Sequence, residues 1–422
     1  MELYQLVVEN YKRDKWKARP FDGMLEIKNT KRDQLLPFLK LCVSEISEGG
    51  TFVDAAFSFL TPEEFREIVD FTFQKAAAET WSTVLLSVVD YASLQFPELL
   101  LPYHERLVKR RGLSYADRWA WRGAGALEID FLSKLIKSGN AELAHDAWEC
   151  LVNIRTEEAI QRSYELFDLA CERRDIGFNT FAHDSGFELK NGECRKLFFD
   201  DTYHIVFSSE YRAEQNKHRI HSVNITVQSK ENHPTWHAEQ LVSDATSFGG
   251  SLHSKCGCCG EKLHQLVRVP KKYLGNCWPI TFATCLSCLG WEEHILFFVH
   301  DEQGTPLSYG KKENFCVPEF PGVALKEAEV SLVKTAERWK FQDWGLSNNR
   351  ENLNRIGGMP TWVQGAEYPD CPCCHRTMTF CAQLDSALLT ETGEEWLWGS
   401  GGICYLFLCD ECRMSGSLWQ CT

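Results

Sequence analysis

The C-terminal half of this chain carries the same arrangement of cysteines twice, each time after a Pro-Thr-Trp sequence. The first copy comprises Pro234–Trp236, Cys256–Cys259 and Cys285–Cys288, and the second comprises Pro360–Trp362, Cys371–Cys374 and Cys409–Cys412. Each copy therefore supplies two C-x-x-C pairs, and such a tight turn directs two thiolates to the same side of the backbone. Two pairs together supply the four sulfur ligands of a tetrahedral zinc site.

We predict two structural zinc ions, each held by one copy. The predicted ligands are Cys256, Cys259, Cys285 and Cys288 for the first ion, and Cys371, Cys374, Cys409 and Cys412 for the second. Four cysteinates close a zinc site and leave no position for a reacting water. A C-x-C pair that includes Cys258 or Cys373 is an alternative. Gly260, directly after the first pair, fits a turn that needs a positive φ.

The spacing of the ligands indicates a duplicated unit. The first pair of the second copy lies 115 positions after that of the first copy, and the second pairs are 124 positions apart. Insertions in loops account for the different offsets. In each copy, one strand-like segment follows the first pair and another precedes the second pair. These segments are Lys262–Val269, Ile280–Thr284, Thr377–Leu384 and Ile403–Leu408.

The chain has 19 cysteines, and Met1–Pro20 contains no apolar signal segment. No apolar run reaches the ~18 residues that a membrane helix needs. We therefore expect a cytoplasmic protein with reduced thiols, where paired cysteines bind metal more often than they form disulfides. The cysteines without partner spacing are expected to be small buried hydrophobic residues. Among them are Cys42, Cys150, Cys171, Cys194, Cys316, Cys381, Cys404 and Cys421.

The net charge of −14 is spread along the chain. Nucleic-acid binding needs a basic face, so this charge disfavours nucleic acid and favours a basic protein partner. One local basic cluster is the exception, and we expect it to be a solvated helix face. Its residues are Arg106, Lys109, Arg110, Arg111, Arg118 and Arg122.

Helical apolar spacing runs from Asp33 to about Arg174. Thr61 before Pro62 marks a helix start, because threonine caps a helix and proline fits its first turn. Successive helices with short polar breaks resemble HEAT-like repeats and predict an α-solenoid, with a helical bundle as the alternative. Near Asp175 this periodicity ends, and strand-like segments follow at Tyr203–Phe207 and Ser222–Val227.

The predicted fold class is therefore α+β, with an N-terminal α-solenoid or helical bundle followed by a duplicated antiparallel β domain with two zinc ribbons, each with four cysteine ligands. We place a HEAT-like helical domain at residues 1–175, a first zinc-ribbon β unit at 176–345, and a second unit, packed on the first, at 346–422.

Motifs in the second copy carry a resemblance to a known family. They are Arg355–Gln364, Tyr368–Cys374, Met378–Phe380 with Gln383–Leu384, and Gly401–Cys409. In these motifs the chain resembles the bacterial YwqG-like family and, more distantly, programmed cell death protein 2, whose relatives are chaperones that hold a small-subunit ribosomal protein. The resemblance covers about Tyr203 to Thr422, and the helical region is not part of the chaperone pattern.

YwqG-like proteins are similar to factors encoded near polymorphic toxins, where immunity proteins are common. The resemblance thus implies a non-catalytic protein that neutralises a partner toxin, with a holding chaperone for a basic client as the alternative. An enzyme with a site between the β units, using Glu394, Glu395 or a histidine, is a further alternative. The sequence contains no Walker, G-x-S-x-G or H-E-x-x-H motif.

Isolated histidines and tryptophans receive simpler interpretations. Pro234 breaks the helix that would align His233 with His237, so we expect no metal site there. His264, His294 and His300 are expected to be ordinary half-buried residues of strands. We expect Trp396 and Trp398 to be exposed beside the glycine-rich turn that follows them and to contact the partner, because tryptophan is favoured at interface hot spots.

Overall fold

The computed structural model of this chain is an α+β protein, in which N-terminal helices precede a large antiparallel sheet. The structure describes residues 1–15, 17–48, 51–76, 81–109, 119–171, 176–218, 234–236, 245–275, 278–347 and 351–422. The chain divides into two compact units, Met1–Ser185 with Glu231–Pro234 and Gly186–Lys230 with Thr235–Thr422, and each is described by itself. Among the described helices, none has the length and apolar character needed to cross a membrane.

The first unit is helical. Its helices are α1 (Leu3–Arg13), α2 (Pro20–Thr30), α3 (Leu35–Glu45), α4 (Thr51–Phe57), α5 (Pro62–Lys75), α6 (Thr83–Gln95), α7 (His104–Val108), α8 (Ala126–Ile136), α9 (Ala141–Val152), α10 (Glu157–Glu165), α11 (Phe167–Ala170) and α12 (Phe178–Asp184). The helical periodicity from Asp33 onward corresponds to α3 and the helices after it. The first two helices precede this periodicity but lie within the predicted helical domain at residues 1–175, whereas α12 follows that domain.

Polar side chains cap the starts of four of these helices. Thr61 accepts a hydrogen bond from the Glu64 backbone, and the Glu64 side chain accepts one from the Thr61 backbone, which makes a complete capping box at α5. Ser82, Asn140 and Thr156 accept equivalent bonds at the starts of α6, α9 and α10. The predicted helix start at Thr61 is therefore confirmed.

Aromatic rings fill the interior of the helical unit. The ring centroids of Phe57 and Phe65 are 5.6 Å apart, and Tyr91 lies 5.0 Å from Phe65. Trp148 is buried and donates a hydrogen bond from Nε1 to the Ser163 carbonyl at 2.8 Å. Large rings of this kind supply much of the apolar area that this unit buries.

Two members of the basic cluster donate hydrogen bonds to backbone carbonyls. Arg106 donates to the carbonyls of Phe73 and Ala76 at the end of α5, where carbonyls lack helical partners. Arg122 is buried, lies 4.6 Å from the ring of Trp119 and donates to the Ser93 carbonyl. Arg106 is nevertheless exposed, as predicted. The predicted solvated face is wrong for Arg122, because a neighbouring ring and carbonyl hold its guanidinium group in the interior. Arg110, Arg111 and Arg118 lie outside the described residues.

The second unit is built from strands. They are β1 (Phe187–Lys190), β2 (Glu193–Lys196), β3 (Tyr203–Phe207), β4 (Ala245–Phe248), β5 (Ser251–Lys255), β6 (Lys262–Val269), β7 (Ile280–Thr284), β8 (Leu296–His300), β9 (Pro306–Ser308), β10 (Ala328–Lys334), β11 (Arg355–Ile356), β12 (Thr379–Asp385), β13 (Leu388–Leu389), β14 (Glu395–Trp396), β15 (Ile403–Cys409) and β16 (Met414–Gln420). The predicted strands at Tyr203–Phe207, Lys262–Val269 and Ile280–Thr284 are confirmed.

Twelve of these strands form one sheet in the order β5-β6-β4-β10-β3-β11-β12-β15-β16-β8-β9, and β7 pairs with β6. Strands from both sides of position 345 therefore belong to the same sheet. The apolar core of this unit lies against the sheet and includes Phe248, Leu266, Phe282 and Leu406. Short helices α13 (Ser209–His218) and α14 (Trp344–Ser347) interrupt the strands. The predicted strand Ser222–Val227 lies outside the described residues.

A buried polar network surrounds Arg355 in β11. Its side chain is fully buried and donates to the carbonyls of Gly357 and Met359 and, at 3.0 Å, to the Thr361 hydroxyl. Gln383 in β12 accepts from the Thr361 backbone at 2.9 Å and donates to its hydroxyl at 3.0 Å. These contacts fix the irregular segment after β11 onto β12, since buried polar groups are costly unless they are paired.

A buried histidine links β8 to β16. His300 lies at the end of β8, donates from Nδ1 to the Gly304 carbonyl at 3.2 Å and accepts at Nε2 from the Ser415 hydroxyl at 2.7 Å. These two bonds require a neutral imidazole. We place its proton on Nδ1, because the Gly304 carbonyl can only accept a hydrogen bond. Burial lowers the pKa of His300 to about 4, and it lowers the pKa of His204 in β3 to about 3. The pairing of these strands therefore favours uncharged imidazoles.

Replacement of Arg355 tests the network. The variant Arg355→Met keeps much of the side-chain volume but leaves three acceptors without their donor, so we expect a loss of about 3 kcal/mol in the free energy of unfolding. Urea denaturation followed by fluorescence measures it. Arg268→Met, on an exposed position of β6, is the matched control and should change stability by less than about 0.5 kcal/mol. Equal losses in the two variants would contradict the role of the network.

Acid should weaken the β unit through His300. Its pKa in the folded state lies below the ordinary 6.5, so its contribution is complete above pH 6.5 and is lost as the pH falls toward 4. The total loss from this residue is up to about 3 kcal/mol. The measurement is the free energy of unfolding of the parent protein and of His300→Gln between pH 7 and 4. The difference between them should shrink with acid, whereas the exposed His253→Gln should keep the parental pH dependence.

Candidate metal centres

The two C-x-x-C turns that open the copies have the same backbone hydrogen bonds. In the first, Gly260 N donates to Cys256 O at 2.9 Å and Cys256 N donates to Glu261 O at 2.7 Å. In the second, His375 N donates to Cys371 O at 2.8 Å and Cys371 N donates to Arg376 O at 2.9 Å. Gly260 has φ +80°, as predicted, and the equivalent His375 has φ +55°. Both turns therefore need a left-handed residue directly after the second cysteine.

The strands that carry the turns also match between the copies. In the β6–β7 pair, Gln265 faces Ala283 and Val267 faces Phe282, so Leu266 is an extra residue in the ladder. In the β12–β15 pair the extra residue is Cys381. The two bulges lie 115 positions apart, the same offset as the first cysteine pairs. A bulge bends and twists a strand, so the two hairpins share the same local distortion.

This pairing brings the predicted ligands together. Because β6 and β7 are antiparallel, the turn before β6 lies beside the turn after β7, and the same holds for β12 and β15. All predicted ligands fall into two groups in which the sulfur atoms lie within 4.8 Å of one another. The groups are Cys256, Cys259, Cys285 and Cys288, and Cys371, Cys374, Cys409 and Cys412. Both four-cysteine groups can hold a metal ion.

The distances within the groups fit a tetrahedral thiolate site. The sulfurs of Cys259 and Cys285 are 3.6 Å apart, as are those of Cys374 and Cys409. Four sulfurs at about 2.3 Å from a zinc ion lie about 3.8 Å from one another. The Cys258 backbone also donates to the Cys256 sulfur at 3.3 Å, a contact that favours a thiolate. The donor set and its spacing therefore fit zinc.

In each four-cysteine group, the interactions among the sulfurs favour one thiolate and disfavour the deprotonation of further thiols. Hydrogen bonds from Cys285 and Cys288 lower the pKa of Cys256, and the hydrogen bond to Cys256 raises the pKa of Cys288. In the second group, a backbone hydrogen bond at Arg376 lowers the pKa of Cys374 to about 6, while burial raises the pKa of Cys409 to about 11. A divalent cation removes this conflict, because it replaces thiol protons and neutralises the thiolates.

The middle cysteines of the two turns have different neighbours. The sulfur of Cys258 lies 3.3 Å from that of Cys316, and these two form a third close group with Cys288. Cys373 is exposed and is hydrogen-bonded to the Tyr309 hydroxyl. The expectation that Cys316 is merely a buried hydrophobic residue is therefore wrong, because the segment after β9 returns to the first turn.

The other cysteines that the structure describes outside the C-x-x-C turns are a mixed set. Cys42, Cys150, Cys171, Cys381 and Cys404 are buried, as predicted, whereas Cys194 and Cys421 are only partly buried. Burial raises the pKa of Cys42 and of Cys404, so both remain protonated thiols that pack as small apolar groups.

The predicted strand histidines form hydrogen bonds or ion pairs with the backbone or with other side chains. His264 is buried in β6 and accepts at Nδ1 from the Leu286 backbone at 3.2 Å, which fixes the second turn of the first copy. His294 is exposed and pairs with Glu367. The predicted half-burial is therefore wrong for all three histidines, since His264 and His300 are buried and His294 is exposed. His233 and His237 lie outside the described residues.

The expected exposure of the tryptophan pair is wrong for Trp398. This side chain is only 1% exposed and donates from Nε1 to the Asp385 carbonyl at 3.2 Å. Trp396 is partly buried and packs against Trp398 with ring centroids 5.7 Å apart. Glu394 and Glu395 lie at the β14 turn, where Thr390 accepts from the Glu394 backbone. Trp398 belongs to the core of this unit, and its backbone N–H also donates to the Ser386 hydroxyl at 3.0 Å.

The motifs that carry the family resemblance contribute to packing. The Trp362 ring lies 4.6 Å from Tyr405 and 5.2 Å from Tyr368. The Tyr405 hydroxyl donates to the Thr361 carbonyl at 2.8 Å and accepts from the Val363 backbone at 3.0 Å. Together with the network around Arg355, these contacts hold the segment between β11 and the second cysteine group in place.

Comparison with known proteins finds an uncharacterized relative and no family. No protein-family model matches the chain, and no solved structure matches it. The chain is similar to an uncharacterized protein of Salmonella typhimurium strain LT2 named YpfL, with 27% identity over 265 residues. This match covers 57% of the chain and 50% of the relative, so the chain spans about half the length of the curated relative that it matches.

Proposed function

We propose that this chain is a zinc-stabilised protein-binding protein without catalytic activity, and that its β unit arose by duplication of a zinc ribbon. The matching turns and bulges of the two hairpins support the duplication. The all-cysteine composition of both groups supports a structural role, since four thiolates leave no position on zinc for a substrate.

Exposed apolar residues in the stretch of chain after the first cysteine group are the observation that carries this proposal. Six of them are at least 43% exposed: Trp291, Leu307, Tyr309, Phe315, Val317 and Phe320. The rings of Trp291 and Phe320 are in contact, with centroids 4.6 Å apart, and Val317 is 92% exposed. Exposed apolar residues that cluster in this way mark sites of protein interaction. We call these six residues the apolar loop surface.

Charge favours a basic partner for this surface. Acidic residues are exposed within the same stretch of chain, at Asp301, Glu302, Glu313 and Glu319. The whole chain carries a net charge of −14. Complementary charge mainly increases the association rate and the specificity of a complex. The specific form that we propose is an immunity protein that binds and neutralises a basic toxin, and the resemblance to the YwqG-like family supports it.

The helical unit supplies a second candidate surface. We propose that its capped helices form a HEAT-like solenoid, as their order and the short breaks between them suggest. A holding chaperone for a basic client would use the same apolar loop surface. The two functions differ in outcome, because an immunity protein keeps its partner inactive whereas a chaperone releases a folded client.

The metal content of the protein tests the structural part of the proposal. Reduced, chelator-free protein should contain two zinc ions per chain, and Cys256→Ser and Cys371→Ser should each remove one of them. Each ion should contribute on the order of 10 kcal/mol of apparent folding free energy, so both variants should unfold at lower denaturant concentration. Elemental analysis and urea denaturation measure these effects.

Two control variants keep this test interpretable. Cys421→Ser, at a partly buried thiol outside both groups, should retain two ions. Cys374→His, at a partly buried ligand position, should also retain both, because an imidazole can replace a thiolate on zinc. A metal content near zero in the parent protein would refute the proposal.

Binding is tested with the products of the genes that neighbour this one. Co-expression should restore growth to cells that produce a basic toxin from that neighbourhood, and titration calorimetry should show a stable complex. The variants Val317→Ser and Phe320→Ser should weaken this complex at least tenfold, about 1.4 kcal/mol. Leu127→Ser, equally exposed but on α8 of the helical unit, is the matched control and should bind like the parent.

Each outcome separates the candidate functions. Binding without loss of the partner's activity, followed by release of a folded client, would favour the chaperone. If no neighbouring gene product binds with micromolar or better affinity, the immunity proposal fails. If Leu127→Ser alone weakens the complex, the partner binds the helical unit instead.

A further inference from the structure

We propose that Cys258 and Cys316 form a reversible disulfide when the protein meets a peroxide, while the four ligands of the first metal site remain in place. Their sulfurs are 3.3 Å apart, closer than the 3.6 Å between Cys259 and Cys285 in the metal group. The two residues are 58 positions apart in the chain, so only the folded structure brings them together.

Backbone hydrogen bonds keep the two cysteines next to each other. Cys316 N donates to Cys258 O at 3.0 Å, and Lys312 N donates to Gly257 O at 2.9 Å. The segment after β9 is therefore bonded to the turn at the cysteine pair itself and four residues before it. Because the sulfurs are already 3.3 Å apart, they need to approach by little more than ~1 Å to reach the length of a disulfide bond.

The neighbouring side chains hold this segment against the turn. Gly257 N donates to the Ser308 hydroxyl at 2.9 Å. A Cβ on Gly257 would lie 2.1 Å from the Gly310 carbonyl oxygen, so the two backbones are in close contact. The Phe315 ring lies over Gly260, where an added Cβ would be 3.0 Å from it. The approach of Cys316 to Cys258 is therefore supported at several points along the segment.

The roles of the neighbouring thiols leave this pair available for oxidation. Cys288 lies near both residues, but it is also a member of the four-cysteine group and is occupied when that group holds its ion. Cys258 and Cys316 are outside that group. Cys316 is partly exposed and Cys258 is buried, so a small oxidant reaches Cys316 first.

The chemistry balances with hydrogen peroxide as the oxidant. The Cys316 sulfur attacks one peroxide oxygen, the O–O bond breaks, and the products are a sulfenic acid and one water. The Cys258 sulfur then attacks the sulfenic sulfur, the S–S bond forms, and the hydroxyl leaves as a second water after it takes the thiol proton. Two thiols and one peroxide thus give one disulfide and two waters. A dithiol reductant reverses the reaction by thiol–disulfide exchange.

The disulfide would fix part of the apolar loop surface to the first turn. Phe315 and Val317 flank Cys316 directly, and both are exposed. A covalent bond between the segment and the turn restricts their movement, so oxidation changes how this surface can adapt to a partner.

The test uses reduced, zinc-loaded full-length protein treated with increasing hydrogen peroxide. We expect the loss of two free thiols per chain, unchanged zinc content, and a peptide pair joined by Cys258 and Cys316 in a non-reducing digest. Cys316→Ser should lose this peptide pair and still retain its zinc. Cys373→Ser, at the exposed middle cysteine of the second turn, is the matched control and should still form the pair.

Three results would overturn the inference. The first is oxidation that joins ligand cysteines and releases zinc in step with the loss of thiols. The second is the loss of a metal ion from Cys316→Ser, since that would make the pair metal ligands. The third is oxidation of Cys316 to sulfinic acid with no joined peptide at any peroxide concentration.

Discussion

The antiparallel register within each cysteine hairpin determines where four thiols can meet. In the second hairpin, Thr379 faces Leu408, so the start of β12 lies beside the end of β15 and both cysteine turns lie at the same end. A shift of one residue would turn every side chain of a strand to the opposite face. Since β15 is buried along its whole length, such a shift is strongly disfavoured. The core of the sheet thus positions the sulfurs, and a bound ion in turn stabilises the register.

The sequence predicts the parts of the site that depend on local structure. Each C-x-x-C turn, the strand that borders it and the positive φ of Gly260 follow from residues within a few positions of one another. The starts of α5 and α10 are predictable for the same reason. Helices α1 and α2 are harder to predict. Only Val7 and Val8 are buried in α1, and α2 contains Gly23, so neither has the long apolar period of the later helices.

The rest of the site depends on contacts between distant parts of the chain. The approach of Cys316 to Cys258 results from the path of an irregular segment after β9, which has no sequence period. The burial of Trp398 depends on Ser386 and Asp385, which lie at the end of a different strand and bind its backbone and indole. Arg122 looks like a surface charge in the sequence, but it is buried and its carbonyl partner Ser93 lies 29 residues earlier. Signals of this kind appear only when the fold is known.

The position of β16 within the sheet has a consequence for protein synthesis. This strand follows all other described strands in the chain, yet it lies in the interior of the sheet, between β15 and β8. During translation β8 emerges more than a hundred residues before its partner, and it exposes a row of unpaired backbone groups until then. Nascent chains of this protein therefore pass through a long interval in which an apolar strand edge is open to other chains. Slow or interrupted synthesis of the segment before β16 should favour aggregation over folding.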